Sequence, residues 1–205
     1  MSGTVPPKIV AIVGTYRKGG VSDRLVDEVL SSAREAGATT GKVYLIDRHI
    51  EFCTNCRSCT QEEGTEPGEC LLKDDMRGLL AEIRAADALV LASPMNYWTV
   101  TAVMKRFIER TVCFAYWPWG MGAPRTRNTR KDKKAVIVVS AAAPALLARL
   151  TTRMTGFLKN VAGLLGARTV GVLFAGLSAQ QKAQPLNERL VRKARRLGKK
   201  LAARR

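Results

Sequence analysis

Cys53, Cys56 and Cys59 recur at every third position, and Cys70 follows after ten intervening residues, placing four of the five cysteines within eighteen positions. Thiols packed this closely hold an iron–sulfur cluster or a zinc ion, pair as a redox dithiol, or line a tight loop. A C-x-x-C-x-x-C run with a more distant fourth cysteine favours iron–sulfur ligation. Structural zinc more often takes two separated pairs of Cys or His. The pattern points to electron transfer, so the surrounding chain has to supply a second redox partner.

Two further segments have chemistry-bearing types at useful spacing. Gly14-Thr-Tyr-Arg-Lys-Gly-Gly-Val-Ser22 follows an apolar run and opens an amphipathic one. Its glycines allow tight turns, Thr15 and Ser22 offer hydroxyls, Arg17 a guanidinium, and the helix start a partial positive charge, which together make a phosphate cradle. The spacing is neither that of a nucleoside-triphosphate loop nor of a dinucleotide fingerprint. Ser93-Pro-Met-Asn-Tyr-Trp98 ends another apolar run, where Pro94 stiffens a turn and Asn96, Tyr97 and Trp98 are suited to cover a planar ring. The small side chains of Ser140-Ala-Ala-Ala143 would let such a ring lie close to the backbone.

These segments have to be held by regular elements. Five nearly continuous apolar runs, Ile9–Val13, Val43–Ile46, Ala88–Ala92, Val136–Val139 and Val170–Phe174, predict strands covered on both faces. Five helical stripes alternate with them: Leu25 to Ala33, Met76 to Ile83, Val100 to Thr111, Met154 to Leu165 and Leu190 to Leu201. Asp74 and Asp75 suit the start of the second stripe. Strict βαβα alternation predicts a doubly wound five-stranded parallel α/β sheet, with flavodoxin-like order 2-1-3-4-5. Residues 1–7 read as a loose tail and 8–205 as a single domain. Within that domain, 48–73 form a cysteine-rich loop and 115–134 a basic aromatic loop. Long irregular connections in a compact domain are usually functional or disordered.

A chain of 205 residues with 46% hydrophobic content can bury a full core. Clustered cysteines fit a reducing cytoplasm. The first residues lack the charged and apolar regions of a signal peptide. The longest apolar stretch, Ala135 to Ala148, is broken by Ser140 and Pro144 and is too short to span a bilayer. The net charge of +17 is concentrated in Arg125–Lys134 and Lys182–Arg205. No nucleic-acid motif accompanies those segments, so a solvated basic face, or steering of anionic cofactors, is expected rather than nucleic-acid binding.

Taken together, Gly14–Ser22, the cysteine run with Gly68-Glu-Cys70-Leu-Leu-Lys-Asp-Asp-Met76, and Ala92-Ser-Pro-Met-Asn-Tyr-Trp98 through Lys105-Arg-Phe-Ile-Glu-Arg110 resemble the NADPH-dependent FMN reductase family. Within it the chain is similar to the iron–sulfur flavoprotein branch. The resemblance implies FMN, with its phosphate on Thr15, Arg17, Gly20 and Ser22 beside Val21, where relatives often carry Asn. It implies a flavin ring against Ser93, Pro94, Met95, Asn96, Tyr97 and Trp98, and against Ser140, Ala141 and Ala142. Cys53, Cys56, Cys59 and Cys70 are the candidate metal ligands. The ten-residue gap before Cys70 exceeds the shorter gap typical of that branch, so a [4Fe–4S] cluster, zinc, and empty or disulfide-forming thiols all stand as readings.

The resulting expectation is an FMN-dependent oxidoreductase passing electrons from NAD(P)H to a small acceptor: a quinone, a free flavin, or a nitro or azo compound. The alternative is an electron carrier exchanging electrons with a ferredoxin-like protein. A homodimer or dimer of dimers is implied by the resemblance. Tyr116, Trp117 and Trp119 either cap the flavin or bury a dimer seam. His49 is expected on the surface, Cys113 in the packing, and Arg110 at a helix-end ion pair.

Overall fold

Strand β1 (Lys8–Val13) turns Val10 and Ile12 to one side of the sheet and Ile9, Ala11 and Val13 to the other, and all five are buried. Side chains alternate across a strand, so an all-apolar strand requires cover on both faces. In this computed structural model, which describes residues 5–203, that cover is supplied by helices. After β1 come α1 (Val21–Glu35), β2 (Thr39–Tyr44), α2 (Met76–Arg84), β3 (Ala88–Pro94) and α3 (Ala102–Arg110). A short ribbon, β4 (Ala115–Tyr116) with β5 (Arg125–Thr126), precedes β6 (Lys133–Ser140), α4 (Ala145–Thr151), α5 (Met154–Leu164), β7 (Ala167–Ala175) and α6 (Glu188–Ala202). Residues 1–4 of the expected loose tail lie outside the described residues. Within the rest of it, the Pro7 carbonyl accepts from Thr39 N at 2.9 Å.

The five main strands are parallel in the order β2-β1-β3-β6-β7, the expected 2-1-3-4-5. Helices α1 and α6 pack one face through Leu25, Val29, Ala194 and Leu197. The opposite face takes Met76, Met104, Phe107 and Leu158 from α2, α3 and α5. All five expected helical stripes form.

Three local expectations are corrected. The second strand begins at Thr39 rather than Val43, and Leu45–Asp47 is a single 3₁₀ turn in which Ile46 is exposed. An edge strand has only one neighbour, so its polar half-buried residues Thr40, Gly41 and Lys42 escape an apolar-run criterion. Helix α4 was not expected. Its sequence ALLARLT leaves Leu146, Leu147 and Leu150 exposed and buries only Ala148, so it has no clear buried stripe. The stretch 115–134 is not wholly irregular, since Ala115 pairs Thr126 and Tyr116 pairs Arg125 in an antiparallel ribbon.

Part of the basic charge has a structural use. Lys133 Nζ donates to the Arg84 and Ala86 carbonyls at 2.7 and 2.5 Å, and Lys134 Nζ donates to the Lys200 carbonyl at 3.1 Å. Each ammonium sits at the carbonyl end of a helix, α2 and α6 respectively, where the partial charge is negative. On α6, Arg195 pairs with Glu28 and Glu35 of α1.

Candidate functional site

Parallel strands put every loop that follows a strand on one edge. At this carboxyl edge the loops after β1, β3, β6 and β7 enclose a cavity of about 300 Å³. Thr15, Arg17, Gly20, Val21 and Ser22 line one side, Pro94, Met95 and Asn96 another, and Ser140 and Ala142 a third. Ten of the fourteen expected cofactor residues therefore meet in one place.

The loop after β1 has the backbone features of an anion site. Gly20 caps α1 with no side-chain cap bond, which leaves the first-turn N–H groups open. Gly19 sits at φ +75°, a left-handed turn that glycine adopts without strain. Thr15 Oγ1 accepts from Arg17 N at 3.1 Å and so shapes the loop, while the Arg17 side chain stays exposed. Asp23 lies in the same first turn, where its charge would repel a phosphate. It is buried and neutralised: Oδ1 lies 2.5 Å from Lys42 Nζ, and Oδ2 accepts from Gly19 N at 2.7 Å and Tyr44 Oη at 3.1 Å. Burial disfavours the Lys42 ammonium, but its bonds to Asp23, Asp27 and Tyr44 prevail and raise its pKa. That Lys–Asp pair braces the cradle from behind.

Four expected residues do not line the cavity. Ser93 is fully buried beneath it, its Oγ accepting from Thr101 N at 3.1 Å and donating to the Pro94 carbonyl at 2.9 Å. Ala141 is buried and ties β6 to β7 through its backbone, donating to the Ala175 carbonyl at 2.8 Å. Tyr97 and Trp98 form the tip of a tight hairpin closed by Asn96 N to the Thr99 carbonyl at 2.9 Å and Thr99 N to the Asn96 carbonyl at 3.0 Å. Both carry positive φ, 46° and 61°, so their backbone is strained for side chains of this size. Tyr97 is 91% exposed and Trp98 65%, and they pack edge to face at the cavity rim.

The cysteines gather on the same edge, beyond the end of β2. Cys59 is buried, Cys53 and Cys70 are half-buried, Cys56 is exposed, and all are free thiols. Burial first, and then charge on Cys70, Cys53 and Cys56, pushes the Cys59 thiol up to about 11. Cys113, deep in the packing as expected, is pushed up to about 12 by burial and by Cys59 and Cys70. Among the described residues no three Cys, His, Asp or Glu side chains are grouped as ligands of a metal ion. Cys53, Cys56, Cys59 and Cys70 therefore share one loop without grouping as metal ligands. The left-handed residues Asn55 and Arg57 turn the chain between them and leave Cys56 facing solvent.

The aromatic loop neither caps the cavity nor stands free. Arg57 lies between two indoles, its guanidinium 3.9 Å from the Trp117 ring and 4.2 Å from the Trp119 ring. It donates to the Trp117 carbonyl at 2.5 Å, and Trp117 N donates to the Thr60 carbonyl at 2.8 Å. Arg127 donates to the carbonyls of Cys113, Ala115 and Cys59 at 3.1, 3.2 and 3.1 Å. The two long loops are thus fastened to each other within one chain. His49 is exposed as expected and rests 3.0 Å from Glu51.

The family model for NADPH-dependent FMN reductases matches residues 7–183, which span the cradle, the cysteine loop, the hairpin and the loop after β7. The chain belongs to the NADPH-dependent FMN reductase family. An iron–sulfur flavoprotein of Archaeoglobus fulgidus is 36% identical over 111 residues, 54% of this chain and 48% of that protein. One from Methanocaldococcus jannaschii is 31% identical over 104 residues, 51% of each. These alignments span about half the length of the relatives. An FMN-dependent NADH:quinone oxidoreductase of Shewanella baltica is 27% identical over 175 residues, covering 80% of this chain and 82% of that one. In fold, the chain resembles an NAD(P)H:quinone oxidoreductase from Methanothermobacter marburgensis, with a TM-score of 0.67, 20% identity, and coverage of 96% and 100%.

For this FMN reductase family member, sequence reasoning missed three cavity residues: Tyr16, Ser178 and Ala179. Ser178 is placed by its N and Oγ, each donating to the Ala141 carbonyl at 2.9 Å. The available signal was topological, since the loop after the fifth strand emerges on the same edge as the others.

Proposed function

We propose that this chain is an FMN-dependent oxidoreductase carrying electrons from NAD(P)H to a small acceptor, with quinones and azo compounds the acceptor classes to try first. The carrying observation is the cavity in which the uncapped start of α1, the hydroxyls of Thr15 and Ser22, and Arg17 face Pro94, Met95, Asn96 and Ser140. An open helix start with hydroxyls and a guanidinium suits a phosphate monoester. The flat-walled remainder suits a ring. FMN, when bound, supplies the hydride chemistry, and the protein positions and tunes it. The chain's part is to bind the phosphate through the cradle, to hold the ring against Pro94–Asn96 and Ser140–Ala142, and to limit water access with the Tyr97–Trp98 hairpin. A quinone is the acceptor named for the Shewanella relative and for the Methanothermobacter structure. Five free thiols suit a reducing cytoplasm. Among the described residues no helix is long and apolar enough to cross a membrane. Fluorescence titration with FMN, followed by NADPH and NADH oxidation with a quinone, tests the reading. Absence of FMN binding overturns it.

A second reading adds a cofactor, suggested by the iron–sulfur flavoproteins among the relatives. Four cysteines share one loop, although among the described residues no three of them are grouped as ligands of a metal ion. Cys53, Cys56, Cys59 and Cys70 would hold a [4Fe–4S] cluster, which supplies single-electron transfer. Arg57, Arg110 and Arg127 lie about that loop and offset its negative charge. A ferredoxin-like protein then becomes an eligible partner. Iron and sulfide assays after anaerobic reconstitution decide this second reading.

A further inference from the structure

Asp23 is the third residue of α1, and the flavin cavity takes its positive end from that same turn. A carboxylate at a helix start is favourable for the helix but competes with any second anion bound there, since both draw on the same open N–H groups and partial charge. The Asp23 side chain is 2% exposed, so little water screens it. Its Oδ2 accepts from Gly19 N at 2.7 Å and from Tyr44 Oη at 3.1 Å, which pins the glycine turn. Lys42 and Tyr44 stand two apart on β2, on the face that α1 covers, and both reach Asp23. Lys42 Nζ lies 2.5 Å from Asp23 Oδ1 and 2.7 Å from Asp27 Oδ1. The Asp27 side chain is 57% exposed and largely solvated, so Asp23 is the inner partner. Lys18, also 4.9 Å from the centre of the Tyr44 ring, is turned to Asp47 at 2.6 Å. The charge that neutralises Asp23 therefore comes from Lys42.

We propose that Lys42 sets the cavity's preference for phosphorylated over unphosphorylated flavin, by cancelling the Asp23 charge beneath the phosphate cradle. This rests on the FMN reading above. With Lys42 in place, an incoming phosphate meets a neutral pair, the open N–H groups of the first turn and the Arg17 guanidinium. Without it, the same anion meets a poorly screened negative charge in that turn. The flavin ring carries no charge, so its contacts with Pro94–Asn96 are indifferent to the change. A neutral acceptor at position 23 would hold Gly19 N equally well, and it is the charge of Asp23 that requires Lys42. Neither side chain lines the cavity, so Lys42 is a positioning residue that acts on the phosphate through Asp23.

The test uses full-length, flavin-free protein titrated by fluorescence with FMN and with riboflavin at about pH 8, where the phosphate is a dianion. Lys42→Met leaves Asp23 without its partner. Asp23→Asn keeps an acceptor for Gly19 N and drops the charge, and the double replacement removes both charges. Melting temperatures verify that each variant folds. Lys42→Met is expected to lower FMN affinity about tenfold, or about 1.4 kcal/mol, and to leave riboflavin affinity unchanged. The double replacement is expected to restore the wild-type FMN affinity. Asp23→Asn alone is expected to tighten FMN without moving riboflavin, and it carries the test if Lys42→Met does not fold. A parallel fall for both flavins in Lys42→Met assigns the pair a purely structural part and overturns the proposal. A double replacement as weak as Lys42→Met, or an FMN-to-riboflavin ratio that no variant moves, overturns it too. Each of these leaves the FMN reading standing, as does a wild type that binds riboflavin as tightly as FMN, which also overturns the proposal. A wild type that binds neither flavin overturns both.

Discussion

Ser22 Oγ and Ser140 Oγ lie 2.6 Å apart, 118 positions distant in the chain and both buried. One hydroxyl belongs to the first turn of α1 and the other to the last residue of β6, so this contact joins the α1 wall of the cavity to its β6 wall. Met95 N donates to the Ser140 carbonyl at 2.7 Å, which brings the third wall to the same point.

The cradle assignment predicts that Arg17→Ala weakens FMN binding by about 1.5–3 kcal/mol, the range for a hydrogen bond to a charged group. Its exposed side chain makes the fold indifferent to the change. Fluorescence titration checks it, and equal affinities in variant and wild type would sink the assignment.

Acid stability is expected to depend on Asp74. Burial alone would raise its pKa, but the Arg110 hydrogen bond and the N–H groups of Glu51 and Met76 hold it below the ordinary carboxylate value. A depressed native pKa stabilises the fold fully above the unfolded value of about 3.9, and that contribution disappears as pH falls below it. Urea midpoints between pH 7 and pH 3 should therefore drop at the acid end, and Asp74→Asn should flatten that limb. Parallel curves would refute the assignment.

A third expectation concerns Gly68, whose N donates to the Cys113 carbonyl at 2.9 Å. A Cβ there would lie 1.8 Å from the Cys59 carbonyl oxygen. Gly68→Ala must displace the backbone between Cys59 and Cys70, costing about 1–3 kcal/mol as overpacking does. Chemical denaturation measures the cost, and FMN affinity should hold because the cavity is built from other loops.

Arg57→Ala should loosen the cysteine loop without touching the sheet. It removes two indole contacts and the bonds to the Trp117 and Pro118 carbonyls. Cation–π contacts contribute about 0.5–2 kcal/mol each with burial. Faster amide exchange confined to 53–61 and 115–121 is the expected signature, and uniform exchange rates across both proteins would contradict it.

A self-associated state is also expected, a homodimer or dimer of dimers. Tyr97, Trp98, Leu146, Leu147 and Leu150 are exposed, and Thr152 Oγ1 donates to the Trp98 carbonyl at 2.6 Å, which joins the hairpin to the end of α4. Exposed apolar side chains brought near one another in this way suit an interaction face. Light scattering showing 22.4 kDa particles at micromolar concentration would count against it.

Sheet order, helix faces and most of the cavity were legible in the sequence because they follow local rules. Continuous apolar runs such as Ala88–Ala92 require a parallel sheet, the stripe Leu25 to Ala33 requires a covered helix, and parallel strands put the Gly14, Ser93 and Ser140 loops on one edge. What residues 116, 117 and 119 touch was not legible. Their partners Arg57, Arg125 and Arg127 include one from a loop some 60 positions away, and no periodicity encodes that meeting. Nor could spacing place Ser93 and Ala141 behind the cavity wall and Ser178 within it, since a one-residue step along a strand or turn reverses the side-chain direction. The sequence determined which residue types stand at the ligand edge. Tertiary packing alone decided which of them face inward, that Asp23 is neutralised by Lys42, and that Arg110 points one N–H at Cys70, because those outcomes depend on burial and on contacts between distant segments.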